Sequence, residues 1–181
     1  EAFFGIDLGI FKKAGVDAEL AWFTSPGAVS TALAGNAIDI GLFDSAGLVS
    51  AYTHNVPISL LAPGKLYQDS DPEIGLVVRN DGPRAAKDVV GTVAVPSINN
   101  IGALQTLAWL DRNGGDSKRI KFVEIPFPAM NEAVQRGSVI GAVSVEPWLS
   151  DAREKNMRTV VLANGLSPVF VASAWVAAKH W

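Results

Sequence analysis

Apolar and polar residues alternate along this chain in blocks that predict a helix followed by a strand, and one such block occurs twice. In the first copy, residues 33–41, apolar positions at helical spacing lead to Gly35 and then to a short apolar run. In the second copy, residues 135–143, the same order surrounds Gly137. A glycine can adopt the left-handed conformation that ends a helix. The near-repeat predicts two similar α/β lobes, and a cleft between lobes is a common place for a ligand.

The same patterns divide the rest of the chain into helices and strands. Helical spacing predicts helices at residues 1–14, 28–35, 45–52, 86–90, 101–113, 129–136 and 149–155. Alternating or continuous apolar runs predict strands at residues 16–23, 38–42, 58–62, 75–79, 92–95, 121–125, 139–145, 159–162 and 169–173. This alternation is typical of a parallel sheet and places the chain in the α/β class.

Two polar stretches divide these elements between the lobes. Residues 63–73 form the clearest linker and predict a first crossover, and residues 164–168 predict a second one. We therefore expect one lobe from residues 1–70 and 166–181 and the other from residues 71–165. Because the chain opens and closes inside helical patterns, we also expect further residues at both ends.

Composition supports an α/β protein with well-buried strands and excludes some classes of partner. Of the 181 residues, 49% are hydrophobic and 18% are charged, which excludes disorder and favours strands covered on both faces. The net charge of -3 leaves no global positive field for nucleic acid. The longest apolar stretch, residues 168–178, is shorter than the roughly 20 residues that a membrane span needs.

Few residues offer catalytic or metal chemistry. The chain contains no cysteine, which excludes disulfides, thiol catalysis and Cys-ligated zinc. Neither His54 nor His180 has a second ligand at metal-binding spacing, so we expect no metal site and no cofactor. The G-x-S-x-G, G-x-G-x-x-G and G-K-[ST] motifs are also missing from the sequence.

Polar and aromatic residues cluster where the predicted parallel strands end, which is where open α/β sheets bind ligands. Two of these clusters precede helices, so hydroxyl, amide and backbone N–H groups would favour an anionic or acceptor-rich ligand group. The same residues also suit helix capping, and the aromatic ones suit packing. The candidate ligand-binding residues are Thr24, Ser25, Phe43, Asp44, Ser45, Ser97, Asn99, Asn100, Phe127, Glu146 and Trp148.

Two carboxylates, Asp44 and Glu146, occupy corresponding positions if Gly35 is aligned with Gly137. Such a pair could act as general acid and base in a cleft. It could equally form hydrogen bonds or brace a hinge.

Several segments in order resemble one family of proteins. Residues 9–20 (GIFKKAGVDAEL) and residues 33–41 (LAGNAIDIG) resemble two of its signatures, and residues 77–81, 91–97 and 145–148 fit the same series. The family comprises the solute-binding proteins of ABC transporters that take up nitrate, taurine, alkanesulfonates and thiamine pyrimidine precursors. The resemblance implies the type II periplasmic binding fold, with two lobes, mixed and mostly parallel sheets, and two crossovers.

The resemblance further implies a function without catalysis. The protein would be periplasmic and monomeric, would capture a small polar or anionic organic solute between its lobes, and would deliver the solute to an ABC permease at the inner membrane. The eleven candidate residues above are those that the resemblance places nearest the ligand.

The chain departs from the family pattern in several places, and two alternatives to a solute-binding protein stay open. The candidate clusters contain no Lys or Arg to meet a sulfonate or nitrate, and Lys65 in the predicted crossover is the nearest cation. Many members have Asp where this chain has Gly141. The cysteine-rich motif of the pyrimidine-precursor synthases is missing, yet an enzyme using Asp44 or Glu146 on this scaffold stays open. A cytosolic effector-sensing domain is the other alternative.

Overall fold

The computed structural model describes residues 2–23, 26–162 and 165–179. Its helices are α1 (Ala2–Asp7), α2 (Ile10–Lys13), α3 (Pro26–Ala34), α4 (Ser45–Thr53), α5 (Ile101–Arg112), α6 (Phe127–Gln135) and α7 (Trp148–Glu154). Its strands are β1 (Ile40–Asp44), β2 (Ile58–Gln68), β3 (Ile74–Val78), β4 (Gly91–Val95), β5 (Ile120–Glu124), β6 (Gly141–Val145), β7 (Arg158–Val161) and β8 (Val169–Ala178). None of the helices in these ranges combines the length and apolar character needed to cross a membrane.

The larger sheet is mixed and mostly parallel, as predicted. Its strand order is β5-β4-β6-β3-β7, with β4 parallel to both β5 and β6. Strand β3 alone runs against its neighbours β6 and β7.

Helices cover both faces of this larger sheet. Leu76 and Val93 point to one face and pack with Leu110 of α5. Val77 and Ala94 point to the other face, where α6 and α7 pack. Successive strand residues point to opposite faces, so burial on both sides accounts for the continuous apolar runs in the sequence.

The smaller sheet differs from the predicted parallel arrangement. Its order is β1-β8-β2, and both pairings are antiparallel. Strands β1 and β2 run in the same direction, but β8 lies between them. The prediction of a parallel sheet was therefore wrong for this lobe, because β8 comes from the far end of the chain and the alternation of nearby elements does not show that it lies between β1 and β2.

The first crossover is shorter than predicted. Residues 63–68 continue β2, because β8 pairs with that strand as far as Gln68. The chain then crosses between Gln68 and Ile74. The Asp69 N–H donates to the Pro168 carbonyl at 2.9 Å, so the two crossings are joined side by side. Residue 164, the first residue of the predicted second crossing, lies outside the described residues. Because the two crossings are adjacent, we propose that the chain passes from one lobe to the other near residues 70 and 166.

The N-terminal region corrects two predictions. The predicted helix over residues 1–14 is two short helices, because Gly9 has a φ of 65°. Residues 16–23 form no strand within the described part of the chain, although their apolar and polar residues alternate. A strand needs a neighbour for its backbone hydrogen bonds, and this segment pairs with no strand of either sheet.

The repeat is real, but its register is one residue different from the sequence alignment. In the first copy the left-handed residue is Asn36, with a φ of 55°, and in the second it is Gly137, with a φ of 72°. The strands that follow begin at Ile40 and Gly141. Asn36 therefore corresponds to Gly137, and Asp44 corresponds to Val145. Asparagine tolerates the left-handed conformation better than most residues, so glycine was the wrong marker in the first copy.

Candidate functional site

A cavity of about 380 Å³ lies between the two sheets. The smaller sheet and its flanking segments contribute Phe23, Val29 and Leu42, whereas the larger sheet contributes Ile74 and Val145. Strands β1, β4 and β6 all end at this cavity. The volume falls in the range that small-molecule sites occupy.

Asp44 is the one charged side chain in the described lining of the cavity. It ends β1 and caps α4, where its Oδ1 accepts the Gly47 N–H at 2.6 Å. Its Oδ2 accepts the Ile101 N–H at 3.2 Å, from the first residue of α5 beside the other sheet. Burial raises the pKa of Asp44 above its ordinary value, and these backbone hydrogen bonds oppose that rise. One carboxylate therefore joins the two sides of the cavity.

The turn between β4 and α5 supplies two further candidates. Ser97 and Asn100 both line the cavity. The Asn100 Oδ1 accepts the Ala103 N–H at 2.8 Å, which makes Asn100 the N-cap of α5 as well as a lining residue. Asn99 is exposed and lies outside the described lining. Asn100 therefore has the predicted capping role, and ligand contact by Asn100 stays a prediction.

Phe127 is the fourth candidate that the structure brings to the cavity. It is the first residue of α6 and follows Pro126, whose fixed φ suits the residue before a helix. Phe23 provides a second aromatic ring, although its segment is not the predicted strand. Apolar side chains make up most of the remaining wall.

Four other candidates from the first lobe are not placed at the cavity by the described structure. Phe43 is 1% exposed and packs in the core with Leu33 and Val176. Leu42 and Asp44 share the face of β1 that lines the cavity, and Phe43 points to the other face. The Ser45 hydroxyl donates to the Val171 carbonyl of β8, which fixes the start of α4 against the sheet. Thr24 and Ser25 lie outside the described residues. Ligand contact by these four residues stays a prediction.

Glu146 and Trp148 lie outside the described lining of the cavity. Glu146 is exposed, and its Oε1 accepts a hydrogen bond from Arg153 Nη2 at 2.7 Å. Desolvation acts to raise the pKa of Glu146, but the hydrogen bonds from Arg153 and Ser150 outweigh it and lower that pKa. Asp44 lines the cavity and Glu146 does not, so the structure does not bring the two carboxylates together in the described lining. Ligand contact by Trp148 also stays a prediction.

Sequence reasoning missed Ser173 of β8, which lines the cavity directly opposite Asp44 in the antiparallel register. It also missed the apolar residues Val29, Leu42, Ile74, Val143 and Val145. One signal was available for Ser173, because it is the only polar side chain in the apolar stretch of residues 169–178. Its neighbour Asp44 lies far away in the sequence, so no local pattern joins the two.

No cation among the described residues lines the cavity. Lys65, the candidate cation, forms an ion pair with Glu73 instead. Within the described ranges, no group of three His, Cys, Asp or Glu side chains is arranged to hold a metal ion. The site therefore offers one carboxylate, hydroxyl and amide groups, and apolar walls.

Comparisons with known proteins agree on a single fold. The sequence profile of the NMT1-like family matches residues 1–180. A search of curated protein sequences returns no match. The alkanesulfonate-binding protein SsuA from Xanthomonas axonopodis pv. citri, solved with bound MOPS, superposes with a TM-score of 0.82 at 15% identity, over 99% of this chain and 62% of that one.

Two further structures give the same result. The periplasmic aliphatic sulphonate binding protein SsuA from Escherichia coli superposes with a TM-score of 0.74 at 16% identity, over 98% of this chain and 57% of that one. A ligand-binding component of an ABC-type import system from Staphylococcus aureus, solved with zinc bound, gives a TM-score of 0.75 at 13% identity, over 91% of this chain and 56% of that one. The chain thus spans less than two thirds of each of these relatives, and the likeness shows a shared fold.

Proposed function

Because this chain belongs to the NMT1-like family and has the fold of the periplasmic binding proteins, we propose that it binds a small solute and is not an enzyme. The cavity of about 380 Å³ between the two sheets is the observation that carries this proposal. Residues from both sheets line it, so a bound solute would contact both sides of the molecule at once. The proposed binding residues are Asp44, Ser97, Asn100, Phe127 and Ser173.

The chemistry of the cavity fits binding better than catalysis. General acid and base catalysis needs two groups that can exchange protons with one substrate. Asp44 is the one titratable side chain in the described lining, and Glu146 is paired with Arg153 at the surface. Apolar walls with a few fixed polar groups are typical of sites that bind small molecules.

A screen of small solutes tests this proposal. Thermal unfolding of the chain would be followed with sulfonates, nitrate, aromatic acids, pyrimidines and amines at millimolar concentration. A solute that binds only the folded state raises the midpoint temperature of unfolding. At a concentration of 100 times its Kd, it adds about 2.7 kcal/mol to the free energy of unfolding. We expect at least one class to raise the midpoint. If no class raises it, the proposed function is contradicted.

We also propose that the chain acts in the periplasm as a monomer and passes its solute to an ABC permease at the inner membrane. The periplasmic and import-system relatives support this role. Uptake of the labelled solute by cells with and without the gene would test it. Equal uptake in both strains would contradict delivery to a permease and leave solute binding itself standing.

A further inference from the structure

Asp44 is the feature of the cavity that bears on the charge of its ligand. It is the single charged side chain in the described lining. Its two oxygens already accept the N–H groups of Gly47 and Ile101, and a carboxylate can accept about four hydrogen bonds in all. Acceptor capacity therefore remains for a ligand that donates hydrogen bonds.

Two of the N–H groups at the start of α5, where an anion could bind, already have side-chain acceptors. Helix N-termini attract anions through free N–H groups and the positive end of the helix dipole. Here the Ile101 N–H donates to Asp44 and the Ala103 N–H donates to Asn100. An anionic group placed at this point would lie next to the carboxylate of Asp44, and like charges repel most strongly where water is excluded.

No positively charged side chain in the described lining offsets the negative charge of Asp44. Lys65 is held by Glu73, and the lining contributed by the larger sheet is apolar or uncharged. Burial raises the pKa of Asp44 even though backbone groups donate to it, so its charge is only partly compensated. A cation in the cavity would complete that compensation. The Ser173 residue opposite Asp44 places a hydroxyl acceptor within the same wall.

On the basis of the solute-binding function proposed above, we propose that the cavity selects small solutes carrying a protonated amine or amidine on an apolar body, with Asp44 as the counter-ion. The apolar walls from Val29, Leu42 and Val145 receive the body of the solute. Sulfonates and nitrate, which lack a positive charge, are poor ligands under this proposal.

Calorimetric titration with three aromatic probes that differ in charge tests this preference. Benzylammonium, benzyl alcohol and benzenesulfonate present the same ring with a positive, a neutral and a negative group. We expect benzylammonium to bind at least about tenfold more tightly than benzenesulfonate. A tighter or equal affinity for benzenesulfonate would overturn the charge assignment while supporting solute binding.

Substitution locates the preference at Asp44. Asp44→Asn keeps the size of the side chain and an oxygen that can cap α4, and it should weaken benzylammonium binding by about tenfold or more while changing benzyl alcohol binding little. Asp17→Asn, the same substitution at an exposed residue outside the lining, should leave all three affinities unchanged. Unchanged benzylammonium affinity in a folded Asp44→Asn protein would overturn the role of Asp44. If that variant does not fold, the relative affinities of wild type for benzylammonium and benzenesulfonate decide whether the proposed charge preference holds.

The wider solute screen separates this proposal from the function on which it rests. If the benzyl probes fail to bind but other solutes bind, cationic binders uphold the charge preference, and exclusively neutral or anionic binders overturn it. If no solute of any charge binds, the solute-binding function itself is contradicted.

Discussion

At the scale of single residues, Asp44 links the local sequence to the proposed site. A polar residue directly after an apolar strand is suited to cap the helix that follows, and Asp44 does so for α4. Its second oxygen accepts the Ile101 N–H from a helix 57 positions away along the chain. The capping role was therefore predictable from the sequence, whereas the contact across the cavity depends on the tertiary fold.

The raised pKa of Asp44 predicts a pH dependence of stability. Because the folded state holds this proton more tightly than the unfolded chain, the ionised carboxylate costs stability at neutral pH, and that cost disappears as the pH falls through the folded pKa toward the ordinary value of 3.8. Asp44→Asn removes the ionisation. We expect any stability advantage of Asp44→Asn over wild type to be greatest near neutral pH and to shrink as the pH is lowered.

Denaturant unfolding of both proteins between about pH 7 and about pH 4 measures this difference, and the subtraction cancels the other titrating groups. Asp17→Asn serves as the exposed control. A difference between wild type and Asp44→Asn that grows toward acid pH would contradict the burial of the Asp44 charge.

Residue-level reasoning located only part of the site. Asp44, Ser97, Asn100 and Phe127 were found because each lies at a strand end or helix start, which the local pattern reveals. The Glu146 assignment depended on a register taken from Gly35, and a shift of one residue places Val145 at the cavity instead. Side chains alternate between the faces of a strand, so such a shift exchanges the inner and outer residues.

At the scale of secondary-structure elements, Asn131 joins α6 to α7. Its side chain is 2% exposed, and its Nδ2 donates to the Trp148 carbonyl at 2.9 Å and to Asp151 Oδ2 at 2.7 Å. Hydrogen bonds from Lys155 and Asn131 lower the pKa of Asp151. A buried amide of this kind contributes more to the free energy of unfolding than its packing alone, because its partners lose a donor when it is removed.

Asn131→Ala should lower the free energy of unfolding by about 2 kcal/mol, since it removes two hydrogen bonds and most of a buried side chain. Chemical denaturation of the variant and of wild type would measure the change. Asn99→Ala is the matched control, because Asn99 is exposed and the same substitution there should cost little. Equal losses in the two variants would contradict the joining role of Asn131.

Most elements could be predicted because their apolar periodicity is local. The strands of the larger sheet appear close to their expected positions, since burial on both faces leaves an apolar run in the sequence. Residues 16–23 show the limit of this reasoning, because alternation favours a strand but pairing requires a partner elsewhere in the fold. The length of β2 was missed for the same reason, since its pairing with the distant strand β8 extends it as far as Gln68.

At the scale of the whole molecule, two sheets face each other across the cavity, and β8 returns to the smaller one. The resemblance of short motifs to a solute-binding family predicted this arrangement, and the superpositions agree with it. Local periodicity could not predict the strand order or the lining of the cavity, because both depend on contacts between distant parts of the chain. Ser173 illustrates this, since only the pairing of β8 with β1 brings it opposite Asp44.

The most direct test of the account fills the cavity and measures binding. Ser97 lines the cavity and Asn99 is exposed outside it, so Ser97→Trp and Asn99→Trp place the same large side chain inside and outside the proposed site. Calorimetric titration would compare both variants with wild type, using the tightest-binding solute from the screen. The account predicts that Ser97→Trp weakens binding by about 1.4 kcal/mol or more, which is tenfold or more in Kd, and that Asn99→Trp leaves it unchanged. Binding of wild-type strength in a folded Ser97→Trp protein would contradict the proposal that the solute lies between the two sheets.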